Sequence, residues 1–335
     1  MAASKSYRWG FVGAGGMAQA LAADLEFAPR CEVGGVYSRS PETAQALAGR
    51  FGGQVYASLE AMLADAAIDL IYIASPNQLH YRQAAAALQA GKPVLCEKPF
   101  TLNAAQLERL IGLARSQGLF LMEAMWTRWL PLQARLRQLL GEGAIGQPLQ
   151  LEAGFHSRPP AAADNRFYNP SLGGGALLDL GVYPLSLASQ IFGRPAKITS
   201  TVQLAPTGVD ERFAAQFSYQ NGASAQLSAG FDGVLRQDIL LRGSEGSLQI
   251  ALDQGGWKQR QLTLTRGGRS EVFDAPYLGS GYSYQADEVV RGLEAGRTES
   301  ETMPLAESLE ILQTMDALRA EWGLHYPGED ELQML

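Results

Sequence analysis

Cysteine and histidine are scarce in this chain of 335 residues. The two cysteines are Cys31 and Cys96, and the three histidines, His80, His156 and His325, lie far apart in the sequence. Two thiols are too few for the disulfide framework of a small secreted protein, and they cannot form a zinc cluster by themselves. Free cysteines are most often buried, so we expect two reduced, buried thiols and no bound metal.

Clusters of basic residues and long apolar runs are also missing. Lys and Arg total 27 against 34 Asp and Glu, so the formal charge is −7. Nucleic acids and anionic membranes need a basic surface, so neither is expected as a partner. No stretch reaches the ~18–20 apolar residues of a membrane helix. The first ten residues lack the apolar run of a secretory signal, and we expect a cytoplasmic protein.

The length and the order of local patterns indicate two domains. In residues 1–123, short β-rich runs alternate with helical patterns rich in Ala and Leu. This alternation is typical of a doubly wound Rossmann domain with a parallel sheet. The expected strands are residues 7–12, 32–37, 70–73, 94–97 and 119–123, and the expected helices are residues 17–26, 41–51, 79–90 and 103–117.

The second domain is expected to cover residues 124–335 and to have an α+β fold. Consecutive strands with hairpin signals such as Asn221-Gly222 and Gly267-Gly268 predict a mainly antiparallel sheet. The few helices cannot cover both of its faces, so we expect an open-faced sheet through which a homodimer forms. The expected strands are residues 149–157, 198–205, 212–219, 224–231, 238–242, 247–250 and 261–265, and the expected helices are residues 131–140, 173–192, 284–295 and 305–321.

A glycine-rich turn follows the first strand and opens the first helix. Its sequence, Gly13-Ala14-Gly15-Gly16-Met17-Ala18, matches the dinucleotide-binding pattern G-x-G-x-x-G/A. Gly13 permits the tight turn, Gly15 lets the backbone approach a pyrophosphate, and the small Ala18 lets the helix pack on the strand. Amide groups at the helix N-terminus then face the phosphates. The alternative is a turn with a purely structural role.

The residues after the second strand indicate which dinucleotide is bound. NAD-binding sites usually place a carboxylate there, but this chain has Ser38, Arg39 and Ser40, with Glu42 only later. A guanidinium binds phosphate and stacks on adenine, so we expect NADP, with NAD also possible. The alternative is that Arg39 is an ordinary surface residue.

Polar residues also follow the third and fourth strands, at the sheet edge where ligands bind. Lys98, which follows Glu97, is well placed for chemistry near a nicotinamide. The alternative is that Glu97 and Lys98 form a pair of charged surface residues in a loop. Ser75, Asn77 and His80 follow the third strand. They could contact the cofactor, or Ser75 or Asn77 could cap the next helix.

The run of residues 173–183, beginning with three glycines, is the most informative part of the second domain. Asp179 and Tyr183 are four residues apart and share one face of a helix. The run is otherwise apolar, so this polar pair needs partners, and Pro184 should kink the helix beside it. The alternative for Tyr183 is a buried phenol that serves packing.

Together these motifs resemble the glucose–fructose oxidoreductase/inositol dehydrogenase/MocA (Gfo/Idh/MocA) family over nearly the whole chain. The resemblance rests on the turn at residues 13–18, on Glu97-Lys98-Pro99 and on residues 173–183. Residues 123–131, 173–183 and 322–328 are most similar to the branch of dimeric dihydrodiol dehydrogenases and NADP-dependent D-xylose 1-dehydrogenases. Many sugar and inositol dehydrogenases of the family have His where Tyr183 stands, which also favours this branch.

The resemblance implies that Lys98 and Tyr183 are the catalytic pair. Tyr183 would take the hydroxyl proton as hydride leaves for the cofactor. A free phenol titrates near ~10, so a nearby ammonium is needed to lower its pKa. Asp179 would orient Lys98 or the substrate. Trp126 and Arg128 are implied near the cofactor, and Trp126, Phe155 and Tyr183 in a substrate pocket whose rings suit a sugar or a cyclic diol.

Three alternatives to this reaction remain open. One is the same chemistry on another sugar, diol or imine. Another is a non-catalytic nucleotide-sensing regulator, against which the retention of Lys98 and Tyr183 argues. The third is an enzyme with a tightly held cofactor that shuttles hydride between two sugars.

Overall fold

The computed structural model describes residues 5–162, 164–233, 239–252 and 257–330, and it divides into two compact units. The first comprises Met1–Trp129, Leu278–Leu309 and Gly328–Leu335, and the second comprises Leu130–Tyr277 and Glu310–Pro327. Two later segments join the first unit because Asp24 accepts the amide protons of Ser280 and Tyr282, and because Asn103 donates to the carbonyl of Glu329. The functional division of the chain into residues 1–123 and residues 124–335 stays a prediction.

The first unit contains a parallel sheet of six strands in the order β3-β2-β1-β4-β5-β6. The order confirms the Rossmann expectation, since it reverses between β1 and β4. The middle strands are buried because helices cover both faces of such a sheet. The strands are β1 (Tyr7–Val12), β2 (Cys31–Tyr37), β3 (Gln54–Val55), β4 (Leu70–Ile73), β5 (Val94–Glu97) and β6 (Leu121–Ala124).

The helices of this part of the chain begin and end at local signals. Ser58 and Asn103 accept amide protons as N-caps of α3 and α5, and Gly118 ends α5 in the left-handed conformation. The expected helices form within three residues of their expected ends; α3 and β3 were not expected. The helices are α1 (Gly16–Asp24), α2 (Pro41–Phe51), α3 (Leu59–Ala64), α4 (His80–Gln89) and α5 (Ala104–Gln117).

The second unit contains a sheet of eight described strands in the order β14-β13-β12-β11-β7-β10-β9-β8. Its neighbours pair antiparallel except for β7 and β10, so the mainly antiparallel expectation is confirmed. Residue 238 of an expected strand lies outside the described residues, and β14 was not expected. The strands are β7 (Pro148–His156), β8 (Lys197–Leu204), β9 (Asp210–Ser218), β10 (Ser224–Gly230), β11 (Ile239–Gly243), β12 (Gly246–Leu252), β13 (Gln259–Arg266) and β14 (Arg269–Asp274).

One face of this sheet is packed and the other is open. Phe213 and Phe217 of β9 are buried, whereas Ala214 between them is exposed. The open face carries a shallow concavity of about 660 Å³, lined by small and polar side chains including Gly154, Thr199 and Ala214.

Helix α6 (Pro131–Gly141) precedes the sheet, and α8 (Ser283–Glu294) and α9 (Leu305–Trp322) close the chain. Between β7 and β8, a π-helical turn over Leu177–Gly181 leads directly into α7 (Val182–Phe192). The segment Pro170–Phe192 meets the length and composition of a membrane helix, so the expectation that no described stretch does so is wrong. Of the 18 residues in this segment that meet these criteria, 78% are buried inside the fold, and the core helix of a soluble protein meets the same criteria.

Candidate active site

The glycine-rich turn lies at the point where the strand order reverses between β1 and β4. Gly13 has φ +99°, and a Cβ there would lie 2.6 Å from the carbonyl oxygen of Ala74, so only glycine fits. By contrast, a Cβ on Gly15 or Gly16 would meet no described atom within 4 Å. Helix α1 begins at Gly16 without a side-chain cap from the described residues. Open space before uncapped amides fits a pyrophosphate.

The residues after β2 form a small hydroxyl-rich cluster. Ser38 and Thr43 share a hydrogen bond of 3.0 Å, and Ser40 donates to the Glu42 carboxylate at 2.7 Å. That bond lowers the pKa of Glu42. Arg39 is exposed, so its guanidinium is accessible to a phosphate. Their contacts with a cofactor stay a prediction.

His80 connects the loops that follow β4 and β5. Its side chain is fully buried, and its ring nitrogens lie 2.9 Å from the carbonyl oxygens of Ser75 and Pro99. Burial lowers the pKa of His80, the bonds to Pro99 and Ser75 oppose this shift, and Lys98 adds to it. A direct bond from His80 to the cofactor would require one of these contacts to break. The Ser75 hydroxyl donates to Gln83 at 2.6 Å, and Asn77 lies in a short 3₁₀ turn just before α4.

Buried acids surround the turn that carries Lys98, whose own side chain is half-buried. Glu97 accepts a hydrogen bond of 2.6 Å from Tyr72, and Glu123 accepts the Phe100 amide proton at 3.2 Å. Burial raises the pKa of Glu123 to about 7, opposed mainly by hydrogen bonds from Ser308 and Phe100. The main chain on both sides of Lys98 is therefore fixed by interior contacts.

Trp126 and Arg128 follow β6 and are both 3% exposed. The Trp126 ring packs on Tyr282 with centroids 4.9 Å apart. Arg128 pairs with Glu307 at 2.6 Å. Trp126 is therefore held by an aromatic neighbour and Arg128 by a carboxylate, and their contacts with the cofactor stay a prediction.

In the second unit, Tyr183 belongs to a cluster of three aromatic rings. Its centroid lies 5.5 Å from that of Phe155 and 5.9 Å from that of Trp257, and the Phe155 and Trp257 centroids are 5.3 Å apart. Edge and tilted contacts at such distances stabilise aromatic clusters. Phe155 and Tyr183 were expected to be pocket neighbours, and the structure brings them together.

Asp179 lies one turn before Tyr183, inside the π-helical turn. It is 9% exposed, and Arg166 reaches its carboxylate at 3.4 Å. The Val182 amide donates to the Leu177 carbonyl, five residues back, which widens the turn. The irregularity thus begins before Pro184 rather than at it. Such π turns often occur at functional sites.

The structure therefore assembles two groups of candidate residues. The first follows the carboxyl ends of β1, β2, β4, β5 and β6, and the second contains Phe155, Asp179 and Tyr183. Lys98 and Tyr183 belong to different units, so their pairing stays a prediction. Sequence reasoning missed Trp257 and Tyr282, because no local motif marks either ring.

Metal and thiol chemistry find no support among the residues that the structure describes. No group of three or more His, Cys, Asp or Glu side chains there could hold a metal ion. Both cysteines are free; Cys96 is buried, whereas Cys31 is only half-buried, contrary to expectation. Burial raises the pKa of both thiols, to about 12 for Cys31. Thiolate reactivity is therefore disfavoured at both.

Comparison with known proteins identifies the family. Residues 7–125 match the GFO_IDH_MocA family, described as an oxidoreductase family with an NAD-binding Rossmann fold, and residues 133–249 match the GFO/IDH/MocA C-terminal domain. The chain belongs to the Gfo/Idh/MocA oxidoreductase family. The expected two-domain fold and NAD(P)-dependent oxidoreductase activity are thereby confirmed.

Individual members of the Gfo/Idh/MocA family match this chain over most of its length. It is 32% identical to the D-xylose 1-dehydrogenase (NADP(+)) of Hypocrea jecorina, over 98% of this chain and 95% of that protein. It is 34% identical to the trans-1,2-dihydrobenzene-1,2-diol dehydrogenase of Mus musculus, over 96% of this chain and 98% of that protein. The expected similarity to this branch is confirmed.

A solved structure supports the same fold. It is the 3-ketoreductase from Actinomadura kijaniata in complex with NADP and TDP-benzene. The TM-score is 0.84 at 28% identity, with 94% of this chain and 98% of that chain covered.

Proposed function

We propose that this protein is an NADP-dependent dehydrogenase that transfers hydride between the nicotinamide and a sugar hemiacetal or a cyclic diol. The observation that carries the proposal is the aromatic cluster in which Phe155 and Trp257 surround the Tyr183 phenol. Ring faces bind both the apolar face of a sugar and an unsaturated diol. The names of the two curated relatives, a D-xylose dehydrogenase and a dihydrodiol dehydrogenase, agree with this substrate class.

The residues of the first unit would hold the cofactor. NADP supplies the hydride acceptor when it is bound. The open space at Gly15 and Gly16 suits its pyrophosphate, and the hydroxyls and guanidinium after β2 suit a 2′-phosphate. The proposed cofactor residues are Gly13, Ala14, Gly15, Gly16, Met17, Ser38, Arg39, Ser40, Ser75, Asn77, His80, Glu97, Lys98, Trp126 and Arg128.

Proton transfer is assigned to Tyr183 with help from Lys98. In oxidation, the Tyr183 oxygen takes the proton of the substrate hydroxyl. The Lys98 ammonium stabilises the Tyr183 phenolate that must be present before this proton transfer, and Asp179 orients the ammonium or the substrate. The rings of Trp126, Phe155 and Trp257 exclude water from the reacting groups.

The test is a panel of aldoses and trans-dihydrodiols assayed with NADP and with NAD by absorbance at 340 nm. We expect turnover on at least one of the two classes, with a higher kcat/KM for NADP. Tyr183→Phe and Lys98→Met should each lower kcat at least ~10²-fold while NADPH still binds. Near-normal turnover in both variants, or no turnover on any compound, would overturn the proposal.

We also propose a cytoplasmic homodimer that forms through the open sheet face. The small and polar residues that line this face, such as Gly154, Thr199 and Ala214, leave room for a second copy to pack closely against it. Light scattering on the purified protein should give the mass of a dimer. Ala214→Arg, in the middle of that face, should give a monomer, and an exposed change on α5, Glu108→Arg, should not. A monomeric unmodified protein would refute the proposal.

A further inference from the structure

Two of the three glycines before the π-helical turn, Gly174 and Gly175, are explained by the atoms that lie against them. A Cβ on Gly174 would lie 2.7 Å from the carbonyl oxygen of Phe167. Gly175 has φ +117°, and a Cβ there would overlap Oδ1 of Asp210. Gly174 therefore allows the close approach of the Phe167 carbonyl, and Gly175 allows the Asp210 carboxylate to approach the main chain just before the segment that carries Asp179 and Tyr183.

Asp210, the first residue of β9, is fully buried. Its Oδ2 accepts the Leu177 amide proton at 2.6 Å, and the Ala176 amide also interacts with the carboxylate. These amides lie where the π-helical turn begins, and no residue further along the turn can satisfy them. A carboxylate from a distant strand thus takes the role that a local N-cap has in an ordinary helix.

The C-terminal segment holds the same glycine run from another direction. Tyr326 donates its phenol proton to the Gly174 carbonyl at 2.6 Å. The Arg319 guanidinium lies 5.0 Å from the centre of the Tyr326 ring and is also bound to Asp316 at 2.8 Å. Asp210, Arg319 and Tyr326 are each less than 5% exposed. A carboxylate, a guanidinium and a phenol are therefore buried around one turn of main chain.

We propose that Asp210 is a positioning residue whose carboxylate, together with the Tyr326 hydroxyl, fixes the first turn of the segment that carries Asp179 and Tyr183. The inference rests on the proposed function, since it concerns how the general base is placed. The turn has few constraints of its own, because it is π-helical and preceded by three glycines. Asp210 and Tyr326 supply these constraints from outside the segment. A displacement of about 1 Å at a reacting group can reduce turnover by ~10²-fold.

Titration of Asp210 gives the inference a pH signature. Burial raises the pKa of Asp210 to about 7, while the amides of Leu177 and Ala176 and the positive charge of Arg319 oppose the rise. The charged groups around it are Arg319 and, through Arg319, Asp316. A protonated Asp210 loses the charge-assisted bond to the Leu177 amide. The turn should therefore be held best above pH ~7.

The first measurement is amide hydrogen exchange of the apoprotein, because it does not depend on any enzymatic activity. In Asp210→Asn, we expect the amides of residues 176–183 to exchange at least ~10-fold faster, with the rest of the sheet unchanged. Tyr326→Phe should produce the same local pattern with a smaller change. The matched control is Glu211→Gln, the next residue of β9, whose side chain bonds Gln203.

The second measurement is steady-state kinetics on the best substrate of the panel. Asp210→Asn should lower kcat ~10–100-fold with little change in the Kd for NADPH, and it should remove a kcat step near pH 7. Unchanged exchange in residues 176–183 would overturn the inference, as would faster exchange spread evenly over the whole unit. If Asp210→Asn does not fold, the exchange of Tyr326→Phe decides in the same way. Absence of dehydrogenase activity would overturn the proposed function without affecting the exchange result.

Discussion

The buried carboxyl of Glu123 should make the stability of this protein fall as the pH rises. Its pKa is raised from 4.5 to about 7, chiefly by burial. The folded state therefore keeps a proton that the unfolded state has lost, and between pH ~4.5 and ~7 each pH unit makes folding less favourable. At about 1.4 kcal/mol per pKa unit, the total loss across this window is about 3 kcal/mol.

Glu123→Gln removes this dependence, because the amide cannot ionise. It keeps an oxygen that can accept the Phe100 amide proton or the Ser308 hydroxyl. We expect the free energy of unfolding of the unmodified protein, relative to the variant, to be about 3 kcal/mol lower at pH 8 than at pH 4.5. Guanidinium denaturation at the two pH values measures it, with the exposed Glu108→Gln of α5 as control. Parallel pH dependences in protein and variant would refute the argument.

Three further changes test the site. Arg128→Met removes the ion pair with Glu307 and should lower the free energy of unfolding by ~3 kcal/mol in denaturant. Much of this loss should be recovered when Glu307→Gln is added, and a larger loss in the double variant would contradict the pairing. Trp257→Ala removes packing from Phe155 and should destabilise the protein by ~3–5 kcal/mol and raise KM. Trp257→Phe keeps a ring, so its stability and KM should stay close to those of the unmodified protein. If the two variants had equal effects, the ring contact would be refuted. Gly15→Ala places a methyl group in open space, so the melting temperature should stay within a few degrees while the Kd for NADPH rises at least ~10-fold; unchanged binding by fluorescence titration would refute the cofactor position.

The Rossmann half could be predicted because its signals are local. Strand β4 consists of four consecutive apolar residues. Helix α2 begins at a proline and ends before a glycine, so local residues mark both of its ends. The elements that escaped prediction give no such signal. Strand β3 is two exposed residues, and β14 is exposed along most of its length. Both exist because a neighbouring strand supplies hydrogen-bond partners.

The candidate site also contains some residues that the sequence could indicate and others that it could not. The glycines at 13–16 and the position of Lys98 after a buried strand follow from motifs that have a physical basis. Asp210 could not be assigned a role from the sequence, because its function depends on meeting a glycine run 35 residues earlier in the chain. Trp257 lies outside the strands, just before β13, and its ring contacts Tyr183 from a position 74 residues later in the chain. Long-range pairing of this kind leaves no local pattern.

The central claim, that Lys98 and Tyr183 act together on one proton, is tested most directly by a double-mutant cycle on kcat/KM. The variants are Lys98→Met, Tyr183→Phe and the pair, each checked for unchanged NADPH affinity. Because the ammonium acts through the phenolate, we predict that the double variant is about as slow as the slower single variant. Two losses that simply multiply would show that the residues act independently, and would contradict this mechanism.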